Sequence, residues 1–361
     1  MHNTSSRINC LRKKIIEKKI DALLVSKAAN RFYLTGWLAD SESGYLLITP
    51  KQAFVITDNR YTEEVIKKVV GFELEEYGQD DDFWKKLFQK AKLSKIGVEG
   101  TNLSLAELRR LRKSTKAKFV LQDSLVENLR SVKNTAEINL IKKAISIADK
   151  SFEFILRNIK VGTSEKEIAW EMEKFMRLKG SSKNAWDPFI VASGPNSSMV
   201  HHAAGERKIK KGDLILLDWG CFYQGYCSDI SRVIFFGAPT TKQAEVYNLV
   251  LDAQKKAVGQ IKVGTKTKKV DLAARDFLKE KTEYFFRHAV GHGVGVEVHE
   301  LPKINEKAKD PLEVGNIITI EPGVYIPSWG GVRIEDMYLV EERGATLLTK
   351  SPKKLAEIVL S

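Results

Sequence analysis

The chain of 361 residues is 43% hydrophobic, enough for the cores of two domains, and no apolar run nears the roughly 18 residues that a membrane span needs. Its net charge of +13 would suit an acidic partner, but the lysines are scattered in pairs such as Lys13-Lys14 and Lys67-Lys68 without interleaved aromatics, so specific nucleic-acid binding is not expected. Three cysteines, Cys10, Cys221 and Cys227, make no disulfide framework; with the polar, basic opening stretch they point to a reducing cytoplasm.

Residues 7–120 alternate helical and extended patterns. Leu11, Ile15, Ile16 and Ile20 lie at helical spacing, and Ala22 to Val25, Tyr45 to Ile48 and Ala53 to Thr57 read as short strands. Helical periodicity returns over Asn59 to Val70 and over Ser104 to Leu111, on either side of a strand from Lys95 to Glu99. This is an α/β domain without a catalytic constellation, and no histidine falls between His2 and His201. The short strand FVLQ at Phe119 leads into a helix, so a boundary is placed there, giving domains 1–125 and 126–361.

A long amphipathic helix follows, opened by Thr135, Glu137 and Ile138 and carrying Ile141, Ala144, Ile145 and Ala148 on one face. After Thr163 a further helix is expected: Ser164 and Glu167 fit a capping box, and Glu165 adds negative charge where the helix dipole favours it.

Four carboxylates then dominate. Leu214 to Leu217 run straight into Asp218, and past a turn at Gly225 comes Asp229. A carboxylate at the end of a buried strand requires a positive partner. The stretch GNIITIEPG repeats this pattern with Glu321, and Glu335 stands to Glu321 much as Asp229 stands to Asp218. The phrase Ile-Lys-Val-Gly-Thr precedes both pairs, at Ile159 and Ile261, an offset of 102; Asp218 and Glu321 are offset by 103, and Asp229 and Glu335 by 106. Two related halves would bring the four acids together about a pseudo-twofold axis.

Five of the six histidines fall in two clusters, His201-His202 and His288, His292, His299. In the second, Gly291, Gly293 and Gly295 argue against a helix and for a bent or extended segment allowing close approach. Hard oxygen ligands with an imidazole describe a site for Mn²⁺, Co²⁺ or a similar divalent ion, Zn²⁺ included, and four carboxylates suit two ions about 3.5–4 Å apart. Cys221 and Cys227 are then core residues, and no G-x-S-x-G elbow offers a serine nucleophile.

DWGCFYQGYCSDISR, GHGVGVEVHE, EPGVY and GVRIED resemble the metal-site motifs of the creatinase, prolidase and aminopeptidase P branch of the pita-bread metallopeptidases. The resemblance spans nearly the whole chain. It implies an α/β (α+β) protein with a small N-terminal α/β domain followed by a pseudo-twofold pita-bread catalytic domain. It also implies that Asp218, Asp229, His292, Glu321 and Glu335 are the ligands of two metal ions, with Asp229 and Glu335 bridging and Glu321 also handling a proton. His201, His288 and His299 match outer histidines that orient substrate and stabilise the tetrahedral intermediate, and Arg333 an arginine supporting the ligand shell. Val200 stands where many relatives have proline, and His202 is left as structural.

The implied activity is hydrolysis of the N-terminal Xaa-Pro bond of peptides with proline second, with an aminopeptidase favoured over an Xaa-Pro dipeptidase. His299 with Tyr325 or Trp329 would line the proline pocket, and the family implies a homodimer. A creatinase-like amidinohydrolase and a non-catalytic pita-bread binding protein are the other readings; both accompany lost ligands, whereas all five positions are filled here.

Overall fold

The computed structural model describes residues 4–78 and 82–360. Contacts divide the chain into two compact units, Met1–Arg130 and Ser131–Ser361.

The first unit is built on a six-stranded sheet with the spatial order Glu73–Glu76, Ala53–Thr57, Tyr45–Ile48, Ala22–Val25, Lys95–Val98, Lys118–Leu121. Ala22–Val25 is the parallel neighbour of Lys95–Val98 and the antiparallel neighbour of Tyr45–Ile48. The three strands expected from continuous apolar runs occupy the expected residues, and Leu23, Leu47, Phe54 and Ile56 are fully buried. The helices Ala28–Thr35 and Phe83–Lys90 and the edge strand Glu73–Glu76 were not foreseen.

The second unit contains two successive copies of one plan. In the first, the helices Thr135–Asn158 and Glu165–Leu178 precede a sheet ordered Val359–Leu360, Ile230–Phe236, Leu214–Trp219, Ile190–Ser193. Both helices start at reciprocal capping boxes, Asn134 with Glu137 and Ser164 with Glu167, which satisfy amides that the helix itself leaves unpaired. Trp219 locks helix to sheet: its ring stacks on Phe152 at 5.2 Å and its Nε1 donates to the Ala148 carbonyl at 3.1 Å.

In the second copy, the helices Thr241–Val258 and Thr267–Lys279 precede a sheet ordered Glu300–Ile304, Gly291–Gly293, Ile317–Ile320, Asp336–Glu341, Gly344–Leu347. The helix after Thr265 lacks a side-chain cap, in line with its lysine-rich first turn. A hairpin, Gly323–Ile326 with Gly330–Arg333, hangs from this half. The mixed α/β architecture and the duplicated plan are those the sequence predicted.

Candidate metal centre

Each half delivers its acids at the end of an antiparallel strand pair. Asp218 lies opposite Ser231 on neighbouring strands, and Asp229 immediately precedes the second of them. Ile320 lies opposite Asp336, so Glu321 and Glu335 stand one residue beyond that pairing. The halves are joined at this point, since the Glu335 amide donates to the Ser231 carbonyl at 3.1 Å. Gln254 steadies the second half from below: its amide donates to the carbonyls of Ile320 and Ile334, each at 3.1 Å and each one residue before an acid of the cluster.

The glycines around His292 are required by close approach. A Cβ on Gly291 would stand 2.0 Å from the Thr319 carbonyl oxygen, and one on Gly293 the same distance from that of Leu301. The strand Gly291–Gly293 is bulged between His292 and Gly293, which agrees with a bent, extended segment. His292 Nδ1 lies 3.1 Å from the Gly293 carbonyl, an atom that only accepts, so Nδ1 carries the proton and Nε2 points into the cluster. Nε2 is 3.5 Å from an Asp229 oxygen and 3.4 Å from a Glu321 oxygen.

One ligand atom each from Asp229, His292 and Glu335 falls within 4.8 Å of the other two. Glu335 is held by the Ser231 hydroxyl at 2.8 Å, and that hydroxyl accepts from Arg333 Nε at 2.9 Å. Arg333 Nη2 also pairs with one oxygen of Asp218; the other Asp218 oxygen is buried with no hydrogen-bond partner.

The electrostatics of this cluster are unbalanced. Burial raises the Asp229 carboxyl well above its ordinary value, and the neighbouring Asp218 raises it further. Burial likewise drives Glu335 well above its usual range, reinforced by Asp229, Glu321 and Asp218. Asp218 is raised as well, by burial that the facing Arg333 only partly offsets. Against burial, the contact with His292 pulls Glu321 down to about 2. The same contact lifts His292, despite its burial, to about 9. Four acids thus share one arginine and one histidine. Together with the orphaned Asp218 oxygen, this oxygen-rich donor set fits divalent cations.

The outer residues surround the cluster. The His299 ring lies 4.2 Å from that of His292, and its pKa is lowered, first by burial and then by His292. His288 has both nitrogens engaged, Nδ1 with the Ala289 carbonyl at 2.7 Å and Nε2 with the Tyr325 hydroxyl at 3.1 Å. That hydroxyl also accepts from Arg333 Nη1 at 2.8 Å, which accounts for Tyr325 better than a simple apolar wall does. Trp329 lies beneath Lys242, whose Nζ is 4.9 Å from its ring centre. His201 is exposed, and His202 turns back to Glu165 at 2.7 Å. Cys221 and Cys227 are free, buried and outside the cluster, with thiol pKa values raised by burial. Sequence reasoning missed Ser231, Gln254 and the Tyr325 hydroxyl; their partners lie on other strands and in the loops between them and carry no local signature.

The description "Metallopeptidase family M24" matches residues 139–342, and "Creatinase/Prolidase N-terminal domain" matches residues 7–132. The chain belongs to metallopeptidase family M24. Within that family it is 39% identical to an Xaa-Pro dipeptidase of Pyrococcus horikoshii, covering 95% of this chain and 97% of the relative. The structure of an Xaa-Pro dipeptidase from Bacillus anthracis superposes with a TM-score of 0.94 at 40% identity, covering 99% of this chain and 100% of that one. An X-Pro aminopeptidase from Thermotoga maritima superposes with a TM-score of 0.86 at 36% identity, covering 95% and 98%. The family is one of divalent-metal hydrolases with the pita-bread fold, and among the described residues no helix is long and apolar enough to cross a membrane.

Proposed function

We propose that the protein is an Xaa-Pro dipeptidase using two divalent ions, Mn²⁺ or Co²⁺ by the hardness of the donor set. The observation that carries this reading is the buried four-carboxylate cluster with a single imidazole, in a chain whose near full-length relatives include Xaa-Pro dipeptidases. The aminopeptidase expected from the sequence gives way to the dipeptidase alternative, because similar chains whose names state a proline-directed activity, such as those of Pyrococcus horikoshii, Pyrococcus furiosus and Bacillus anthracis, are more often called Xaa-Pro dipeptidase or prolidase than aminopeptidase.

In this reading Asp218, Asp229, His292, Glu321 and Glu335 would hold the two ions. When bound, the ions supply Lewis acidity and a water activated for attack. The residues do the rest. Glu321, ionised next to His292, takes up the proton of the attacking water. Arg333 fixes Asp218 directly and Glu335 through Ser231, so the carboxylates keep their orientation while charge moves. His299 and His201 donate to the developing oxyanion, and His288 acts through Tyr325. A prolyl nitrogen has no hydrogen and a fixed φ, so a dedicated enzyme for this bond is physically reasonable.

The deciding experiment compares Xaa-Pro, Xaa-Pro-Yaa and Xaa-Ala peptides with Mn²⁺ or Co²⁺. Cleavage of Xaa-Pro alone is expected. Equal cleavage of the tripeptide would restore the aminopeptidase, equal cleavage of Xaa-Ala would remove proline specificity, and no cleavage would leave a binding protein.

A further inference from the structure

Glu165 opens the helix Glu165–Leu178, where a solvent-facing acid would serve the helix dipole, yet its side chain is fully buried. Capping does not need it, because Ser164 and Glu167 already form the capping box. Its Oε1 accepts from the Ser193 amide at 2.7 Å, the Ser193 hydroxyl at 2.7 Å and the Asn196 side-chain amide at 3.0 Å. Oε2 meets His202 Nε2 at 2.7 Å and accepts from the Gly205 amide at 3.2 Å. Burying a carboxylate costs several kcal/mol unless its lone pairs are satisfied, and these five donors satisfy them.

All five donors belong to one stretch of chain, 193–205, and that stretch carries His201. Within the same stretch, Arg333 Nη1 donates to the Val200 carbonyl at 3.4 Å, and the Gly331 amide donates to the Ser197 hydroxyl at 2.7 Å. His201 is therefore an exposed ring between two anchors, one reaching back to the ligand-supporting Arg333 and the other to Glu165. Only the second lies outside the metal centre.

We propose that Glu165, acting through His202 and the Ser193, Asn196 and Gly205 donors, is a positioning residue that holds His201 in place for substrate. The inference rests on the peptidase reading only for the role of His201; the clamp itself is a matter of geometry. His202 is then more than packing: it is the link adjacent in sequence to the presented histidine.

The test uses the metal-loaded full chain. Glu165→Gln keeps the side-chain shape but sets an amide donor against donors on one edge, and His202→Leu cuts only the adjacent link in case the first variant folds poorly. Each is expected to lower kcat for an Xaa-Pro dipeptide on the order of 10- to 100-fold, with metal content unchanged. In a His201→Ala background the same changes should cost less than about twofold further, because the positioned group is already gone. Losses that simply multiply would overturn the proposal. Amide hydrogen exchange gives a readout without substrate: faster exchange confined to 194–205 is expected, whereas unchanged exchange, or acceleration throughout the unit, would overturn it. Should the unmodified protein cleave no Xaa-Pro peptide, the peptidase reading falls and the exchange result alone judges the clamp.

Discussion

Glu99 in the first unit and the acids of the second are all buried, and they meet burial in opposite ways. Glu99 is 3% exposed and receives the amides of Ser26 and Lys27, the Ser26 hydroxyl and the Asn30 side chain, at 2.6–3.1 Å. Asp229 and Glu335 sit equally deep, but what surrounds them is chiefly other acids. The contrast recurs between neighbours in sequence. Asp336 takes Arg232 at 2.6 Å, Thr349 at 2.6 Å, Gln254 at 3.1 Å and also Lys353; its pKa is lowered because these cations outweigh burial. Glu335, one residue earlier, has the Ser231 hydroxyl and a strongly raised pKa. A buried acid supplied with its own donors is framework, and a group of acids deprived of cations is a site for them.

Removing a proposed ligand is the harshest way to break this contrast. Asp229→Ala is expected to abolish hydrolysis and to reduce bound divalent metal, measured by elemental analysis, from two ions per chain. Metal content and rate both unchanged would show that the cluster is not the centre.

Chelation sharpens the contrast through pH. Without metal, Asp229 and Glu335 hold protons in the folded state that the unfolded chain has already released above its ordinary carboxylate pKa values. Stability therefore falls as pH rises through that window. His292, raised to about 9, acts in the same direction: its contribution is complete below about 6.5 and is lost as pH rises through about 9. Glu321, lowered to about 2, contributes fully above its ordinary pKa and adds no slope there. The gain in Tm on adding metal to chelated protein should thus grow from pH about 6 to about 9, as ligand deprotonation favours binding. Scanning calorimetry with a constant or shrinking gain would contradict the charge imbalance.

A smaller effect is expected at Ser231, which lies between the two kinds of acid by orienting Glu335 and accepting from Arg333. Ser231→Ala should weaken metal affinity by about 10- to 100-fold, as loss of an outer hydrogen bond to a ligand commonly does. Competition with a chromogenic chelator measures it, and unchanged affinity would mean that Arg333 alone orients the acids.

Much of this was legible because apolar runs and carboxylate spacing are local. Leu214 to Leu217 ahead of Asp218, and the matching run ahead of Glu321, marked both the strands and the acids at their ends. What stayed hidden depends on distant partners. Ala28–Thr35 buries Asn30 and Arg31, so its apolar period is broken, and the edge strand Glu73–Glu76 is glutamate at every position but Leu74. Glu165 looked like a dipole residue because its donors lie 28 or more positions away. Ser231 gained its role from the strand pairing that sets it opposite Asp218.

The gentlest test falls on the framework side. Glu99→Gln replaces a carboxylate whose pKa burial raises in spite of its donors. One oxygen of the new amide can still accept from Ser26 and Lys27, but its NH₂ then faces the Asn30 amide, which donates to Glu99 at 2.6 Å. One donor is left facing another, so a loss of about 1–3 kcal/mol is expected at neutral pH, read as a lower midpoint in urea. The sign with pH differs from that of the loss itself. Because the folded pKa of Glu99 is raised, the native carboxylate becomes less favourable as pH rises above its ordinary value, so the variant's deficit should shrink from acidic to neutral pH. Metal content should match that of the unmodified protein at every pH. A variant that lost metal would show that Glu99 belongs with the site acids after all.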